Sequence, residues 1–143
     1  MNKIAIVYWS GTGNTQAMAS AIEEGAKGAG AEVSLLPVGQ ADAGILQGFD
    51  VLAFGSPAMG GEVLEEGEFD PFFTSIEGGL SGKKVALFGS YGWGDGQWMR
   101  DWQDRVAVAG AVLYRGEGLI VNETPDASAL ENCSAFGAGL ASF

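Results

Sequence analysis

Lys3-Ile4-Ala5-Ile6-Val7-Tyr8, continued directly by Trp9-Ser10-Gly11-Thr12-Gly13-Asn14-Thr15, is the stretch on which the fold turns. The first six residues are a short apolar run of the kind that forms a strand buried on both faces. After Thr15, Met18, Ile22, Gly25 and Ala29 recur at helical spacing, with Glu23, Glu24 and Lys27 on the other side. The segment therefore reads as strand, tight turn and helix N-terminus. Such a turn presents free backbone N–H groups and the positive end of a helix dipole to an anion. Gly11 and Gly13 allow close backbone approach, while Ser10, Thr12, Asn14 and Thr15 add side-chain hydrogen-bonding groups.

The loop contains no Lys or Arg, so a phosphate held there is bound by neutral donors alone. A P-loop is excluded, because no lysine lies near Gly13 to reach a β- or γ-phosphate. The dinucleotide fingerprint is also incomplete, since Gln16 occupies the place of its third glycine. The plainer alternative is that Ser, Thr and Asn only cap the helix.

At 143 residues the chain reads as one domain spanning 1–143. No apolar run is long enough to span a membrane, and the N-terminus passes straight into a strand, which implies a cytoplasmic location. The single cysteine, Cys133, excludes an intrachain disulfide. With no histidine, a Cys/His metal site and every histidine-based catalytic arrangement are excluded as well. A net charge of −11 argues against nucleic acid and anionic membrane as partners. Between Lys27 and Lys83 there is no basic residue, whereas Glu62, Glu65, Glu66, Glu68 and Asp70 crowd one stretch. That stretch is either a solvated face or a negative surface that steers a basic partner protein.

Strand signals at 3–8, 32–37, 50–55, 83–89 and 111–121 alternate with helical ones at 14–28, 67–77, 96–109 and 127–141. A weak turn falls near 42–47, and the last strand is interrupted near Arg115-Gly116. This alternation predicts an α/β fold, a doubly wound five-stranded parallel sheet with helices on both faces. Ligands of such sheets sit beyond the carboxyl ends of the strands, where the strand order reverses. The loops after strands 1, 3 and 4 are therefore the informative ones.

After strand 3 comes Ser56-Pro57-Ala58-Met59-Gly60-Gly61-Glu62, in which the Gly60-Gly61 peptide can turn over cheaply. Met59 is a soft hydrophobe suited to an aromatic ring, although an ordinary glycine-rich turn would read the same way. After strand 4 comes Gly89-Ser90-Tyr91-Gly92-Trp93-Gly94-Asp95-Gly96, where Tyr91 and Trp93 are placed to stack on something flat. Trp98 and Trp102, four residues apart on the next helix, read as core. Cys133 shares an apolar helix face with Leu130, Gly137 and Leu140 and reads as inert core. Asn122 reads as a turn residue. A phosphate cradle with a Met on one side and a Trp on the other fits a phosphate monoester joined to a planar ring, and flavin mononucleotide is the obvious candidate.

Tyr8–Thr15, Ala58–Glu62 and Gly89–Gly96, in order and on the expected loops, resemble the short-chain flavodoxins of clostridia and related anaerobes. The resemblance covers essentially the whole chain. It implies the flavodoxin-like sheet order 2-1-3-4-5, noncovalently bound FMN, and low-potential one-electron transfer in place of ferredoxin between redox enzymes. It further implies that Ser10, Gly11, Thr12, Gly13, Asn14 and Thr15 hold the phosphate. By the same resemblance Met59, within Ala58-Met59-Gly60-Gly61, covers the inner face of the ring and Trp93 its outer face. Glu62 accepts from the ring N3–H, and Ser90, Tyr91, Gly92 and Gly94 belong to the loop that meets its pyrimidine edge. The Gly60-Gly61 peptide is the redox switch that responds to the semiquinone. Relatives often have a non-glycine residue in place of Gly61, so the second glycine predicts a less stabilised semiquinone.

The expected partners are redox proteins with basic docking surfaces, and the expected state is a monomer. An FMN-dependent NAD(P)H or quinone reductase on the same fold is the alternative. The short chain, the lack of a basic pair for a 2′-phosphate and the placement of Trp93 weigh against it. A metal-dependent receiver module lacks its acidic pocket here.

Overall fold

The side chains of β1 (Lys3–Tyr8) alternate between two cores. Ile4, Ile6 and Tyr8 face one, and Ala5 and Val7 the other. The same division runs through β3 (Val51–Gly55) and β4 (Lys84–Tyr91), so the central strands are covered on both faces. In the computed structural model, which describes residues 2–143, the sheet is parallel throughout. β2 (Glu32–Pro37) forms one edge, and the order is β2-β1-β3-β4-β5. Helices α1 (Asn14–Gly28) and α4 (Ala127–Leu140) close one core. Helices α2 (Phe69–Glu77) and α3 (Gln97–Val108) close the other.

The fifth strand position is filled by two pieces. β5 (Val112–Leu113) pairs with Lys84 and Val85, and β6 (Leu119–Asn122) pairs with Phe88 to Tyr91. Between them Tyr114–Gly116 forms a short 3-10 turn in which Arg115 has a φ of 60°. Its guanidinium lies over Tyr114 and Phe136 at 5.0 and 5.9 Å, contacts that offset part of the cost of a left-handed non-glycine residue. The interruption near Arg115-Gly116 thus divides the strand in two.

The aromatic core beneath α2 and α3 fixes the ends of β3 and β4. Phe73 meets Phe54 edge-on at 5.4 Å, and Trp102 meets Phe69 and Phe73 edge-on at 5.4 and 5.7 Å. Trp98 and Trp102 are both fully buried, as their spacing predicts. On the opposite side α1 and α4 approach so closely that a Cβ on Gly25 would strike the Ser134 carbonyl, and one on Gly137 the Ile22 carbonyl. Glycine at both positions is what permits this crossing.

Helix α2 begins at Phe69, two residues later than the sequence signal at 67. Glu65 is the reason. Its carboxylate accepts from the N–H groups of Gly67, Glu68 and Phe69 at 2.7, 2.7 and 2.8 Å. Gly67 and Glu68 are thereby held in a turn before the helix, and Phe69, its own N–H satisfied by the same carboxylate, becomes the first helical residue. A further short turn at Val38–Gln40 has no counterpart in the sequence reading.

Candidate functional site

The carboxyl ends of β1, β3 and β4 open into a cleft of about 250 Å³. The β1–α1 turn supplies Ser10, Gly11, Thr12, Asn14 and Thr15 to its lining. Gly13 sits just outside and shapes the turn, with a φ of 97° that a side chain would strain. The Ser10 hydroxyl oxygen accepts from the N–H of Gly13 at 3.1 Å and of Gln16 at 3.2 Å. Both of its lone pairs are thus engaged, and its proton is left to donate into the cleft. Among the described residues, the amides of Gly11, Thr12, Asn14 and Thr15 have no hydrogen-bond partner in the protein. Converging free N–H groups at a helix N-terminus suit an anion.

The β3 loop contributes Pro57, Ala58 and Met59. Beyond them the chain folds back in a short hairpin. Met59 N–H donates to the Val63 carbonyl at 2.8 Å, and Val63 N–H to the Met59 carbonyl at 3.1 Å. Gly60, Gly61 and Glu62 form its tip, outside the lining of the cleft. Gly60 and Glu62 have left-handed φ values of 43° and 58°. The Glu62 carboxylate accepts from Gly96 N–H at 3.3 Å and stands over Gly94, so the hairpin leans on the β4 loop.

Ser90, Tyr91 and Gly92 line the third side. The Tyr91 ring packs at 5.5 Å against Trp98, whose indole N–H donates to the Ser56 carbonyl at 3.2 Å. Tyr91 therefore stands half in the core, anchored from below. Trp93 is 70% exposed and lies outside the cleft lining, as does Gly94.

Trp9 and Pro57, which the sequence reading places in these loops without a ligand role, also line the cleft, as does Glu123, which it does not single out. The Trp9 ring lies across Gly11, where a Cβ would come within 2.9 Å of it. Its indole N–H donates to the Glu68 carboxylate at 3.3 Å. Glu123 has a φ of 57°, and its N–H donates to the Tyr91 carbonyl at 2.6 Å. Beside it the Asn122 amide donates to the carbonyls of Tyr91 and Gly92 at 3.2 and 3.1 Å, fixing the start of the β4 loop.

The acidic stretch divides by role. Burial works against the Glu65 charge, but the N–H groups of Phe69, Glu68 and Gly67 outweigh it and hold the carboxyl below its ordinary range. Asp70 pairs with Arg105 at 2.8 Å, and Arg105 also holds Glu77 at 3.0 Å, fastening α2 to α3. Glu66 and Glu68 are exposed, and the Glu62 carboxylate is turned to the β4 loop. Among the described residues no Lys or Arg lines the cleft. Cys133 is fully buried away from the cleft, and burial pushes its thiol up to about 11.

Residues 6–137 match the flavodoxin family model. The chain is 47% identical over 136 residues to the flavodoxin of Clostridium beijerinckii, covering 95% of this chain and 97% of that one. It is 49% identical over 123 residues to that of Megasphaera elsdenii, covering 86% and 88%. The chain belongs to the flavodoxin family. The solution structure of two-electron reduced Megasphaera elsdenii flavodoxin superposes with a TM-score of 0.85 at 45% identity, over 95% of this chain and 98% of that one. Oxidised flavodoxin 2 from Bacillus cereus does so with a TM-score of 0.84 at 32% identity, over 99% of each. As a flavodoxin, the protein is an FMN-binding electron carrier rather than an enzyme, which sets aside the reductase alternative. No helix among the described residues is long and apolar enough to cross a membrane.

Proposed function

We propose that this flavodoxin is a low-potential one-electron carrier of the cytoplasm, acting as a monomeric single-domain shuttle that substitutes for ferredoxin. The observation that carries this reading is an anion cradle built from neutral donors alone in a chain of net charge −11. FMN, when bound, supplies the one-electron redox chemistry. The amides of Gly11, Thr12, Asn14 and Thr15, with the hydroxyls of Ser10, Thr12 and Thr15 and the Asn14 amide, would hold its phosphate, with Gly13 shaping the turn. Ala58 and Met59 would border one face of the ring, and Trp93 would cover the other. Glu62 would take the ring imide N–H, and the backbone from Tyr91 through Gly94 would meet the polar edge. The Gly60-Gly61 peptide, at an open hairpin tip, is free to turn its carbonyl toward the ring.

Low potential follows from charge. A carboxylate about 10 Å from an added electron costs roughly 0.4 kcal/mol at the dielectric of water, and roughly 1.7 kcal/mol at an effective value near 20. Several such groups together lower a one-electron potential by on the order of 100 mV, given about 59 mV for each 1.4 kcal/mol. The same carboxylates mark the docking face. Met59 and Val63, paired across the hairpin, and Trp93 on the β4 loop that Glu62 touches are exposed, and the acidic residues close to them in the chain suit a partner with a basic rim and an apolar centre.

The test is to load the flavin-free chain with FMN and mix it anaerobically with dithionite or with NADPH. Fast reduction by dithionite and none by NADPH on the same timescale is expected. Rapid reduction by NADPH would contradict the proposal.

A further inference from the structure

Thr15 and Ser90 are 75 positions apart, yet their hydroxyl oxygens lie 3.0 Å from each other, and the residues are 1% and 4% exposed. Each lines the cleft, and neither side chain has another hydrogen-bond partner among the described residues. The Ser90 backbone is fixed independently, since its carbonyl accepts from Ala58 N–H at 3.0 Å within the β3–β4 edge. A hydroxyl carries one proton and two lone pairs, so a pair sharing one hydrogen bond has one proton left over. An anion at the N-terminus of α1 draws that remaining proton onto the Thr15 side, where the hydroxyl sits in the first turn of the helix.

We propose that Ser90 is a positioning residue for the anion cradle: its hydroxyl donates to Thr15 Oγ1 and so turns the Thr15 proton toward the phosphate. The inference rests on the reading of residues 10–15 as the phosphate cradle. Ser90 touches that phosphate only through Thr15. Hydrogen bonds in such a chain polarise one another, so the Thr15 donor is stronger with Ser90 behind it than without. Because the pair is buried, water does not replace the Ser90 hydroxyl when it is removed. Ser90 also stands at the point where β4 runs into the ring loop, so the pair joins the two halves of the cofactor site across the sheet edge.

FMN and riboflavin differ by the phosphate alone, which separates this role from packing. Dissociation constants for both flavins are measured by fluorescence quenching on the full-length, flavin-free chain as wild type, S90A, T15A and the double variant. S90A is expected to weaken FMN about 3- to 10-fold, the range of one neutral hydrogen bond. Riboflavin binding is expected to stay within about 2-fold, the margin set by removing a hydroxyl that faces only Thr15. In the T15A background, S90A is expected to change nothing further. Equal weakening of both flavins by S90A would overturn the proposal in favour of a packing role, and additive effects of the two substitutions would overturn it as well. Riboflavin bound as tightly as FMN by the wild type and by T15A would instead overturn the cradle reading itself. The far-UV circular dichroism and urea midpoint of each flavin-free variant report in every case whether it is folded.

Discussion

Glu65→Gln tests whether one buried carboxylate holds the hairpin and α2 in place. Three backbone N–H groups converge on it, and Phe69, whose N–H is among them, is fully buried. The Glu65 N–H in turn donates to the buried Ser56 hydroxyl at 3.2 Å, so the two ends of the Met59 loop are pinned together. A glutamine oxygen can accept from one or two of these groups, and its NH₂ then faces a donor. Losing a helix cap costs about 0.5–2 kcal/mol. Leaving a buried N–H unpaired adds about 1–3 kcal/mol. A loss of about 2–4 kcal/mol at pH 7 is therefore expected. Unfolding entropy scales with length, so each kcal/mol lowers the midpoint of a chain this size by about 3 °C, and the expected drop is about 6–12 °C.

The pH dependence is the sharper signature of that carboxylate. Its folded-state pKa lies below the reference value of 4.5, so its stabilisation is fully present above that value and fades as pH falls through the folded pKa. Urea unfolding of wild type and E65Q between pH 7 and 3 should show a gap that narrows as the pH falls below 4.5. A variant as stable as wild type at pH 7, or a gap that does not change down to pH 3, would refute the reasoning.

Three further outcomes are expected. Gly25→Val and Gly137→Val each drive a side chain into the carbonyl of the facing helix and should cost about 3 kcal/mol or more, seen as a lower urea midpoint with an unchanged slope. Gly61 has open space around its Cβ position and no left-handed φ, so Gly61→Asn should be accommodated. By stiffening the hairpin tip it should raise the yield of the one-electron-reduced state, moving the first potential up and the second down by about 20–40 mV each for about 0.4–1 kcal/mol, so that the gap widens by about 40–80 mV. Cys133, buried and with its thiol near 11, should react with a thiol reagent only as fast as the protein opens, so that native and urea-unfolded chains differ by orders of magnitude in rate.

The parts of this molecule written in local pattern were legible. The bounds of β1, β2 and α1 follow from the apolar runs and helical spacing of residues 3–37, and the alternation of elements determines the layers. The three loops of the cleft could be named because strand order in a doubly wound sheet places them together. What escaped are contacts between distant residues and roles that residue type conceals. Glu65 and Glu66 are adjacent and chemically alike, yet one is a buried cap and the other is solvated. The Thr15–Ser90 pair depends on the sheet register, and the left-handed φ of Glu123 arises at a position where nothing in the sequence demands glycine. The Gly25 and Gly137 pair had no visible purpose until α1 and α4 were seen to touch. Trp9 reads only as part of a motif, because its reach across Gly11 to Glu68 is tertiary.

An anaerobic redox titration of the FMN-loaded protein, followed by visible absorption, tests the central claim most directly. The neutral-donor cradle and the acidic chain call for two separated one-electron steps, with the second at a potential at least on the order of 100 mV below that of free FMN. A single two-electron bleach at a potential near that of free FMN would contradict the claim that these residues build a low-potential one-electron carrier.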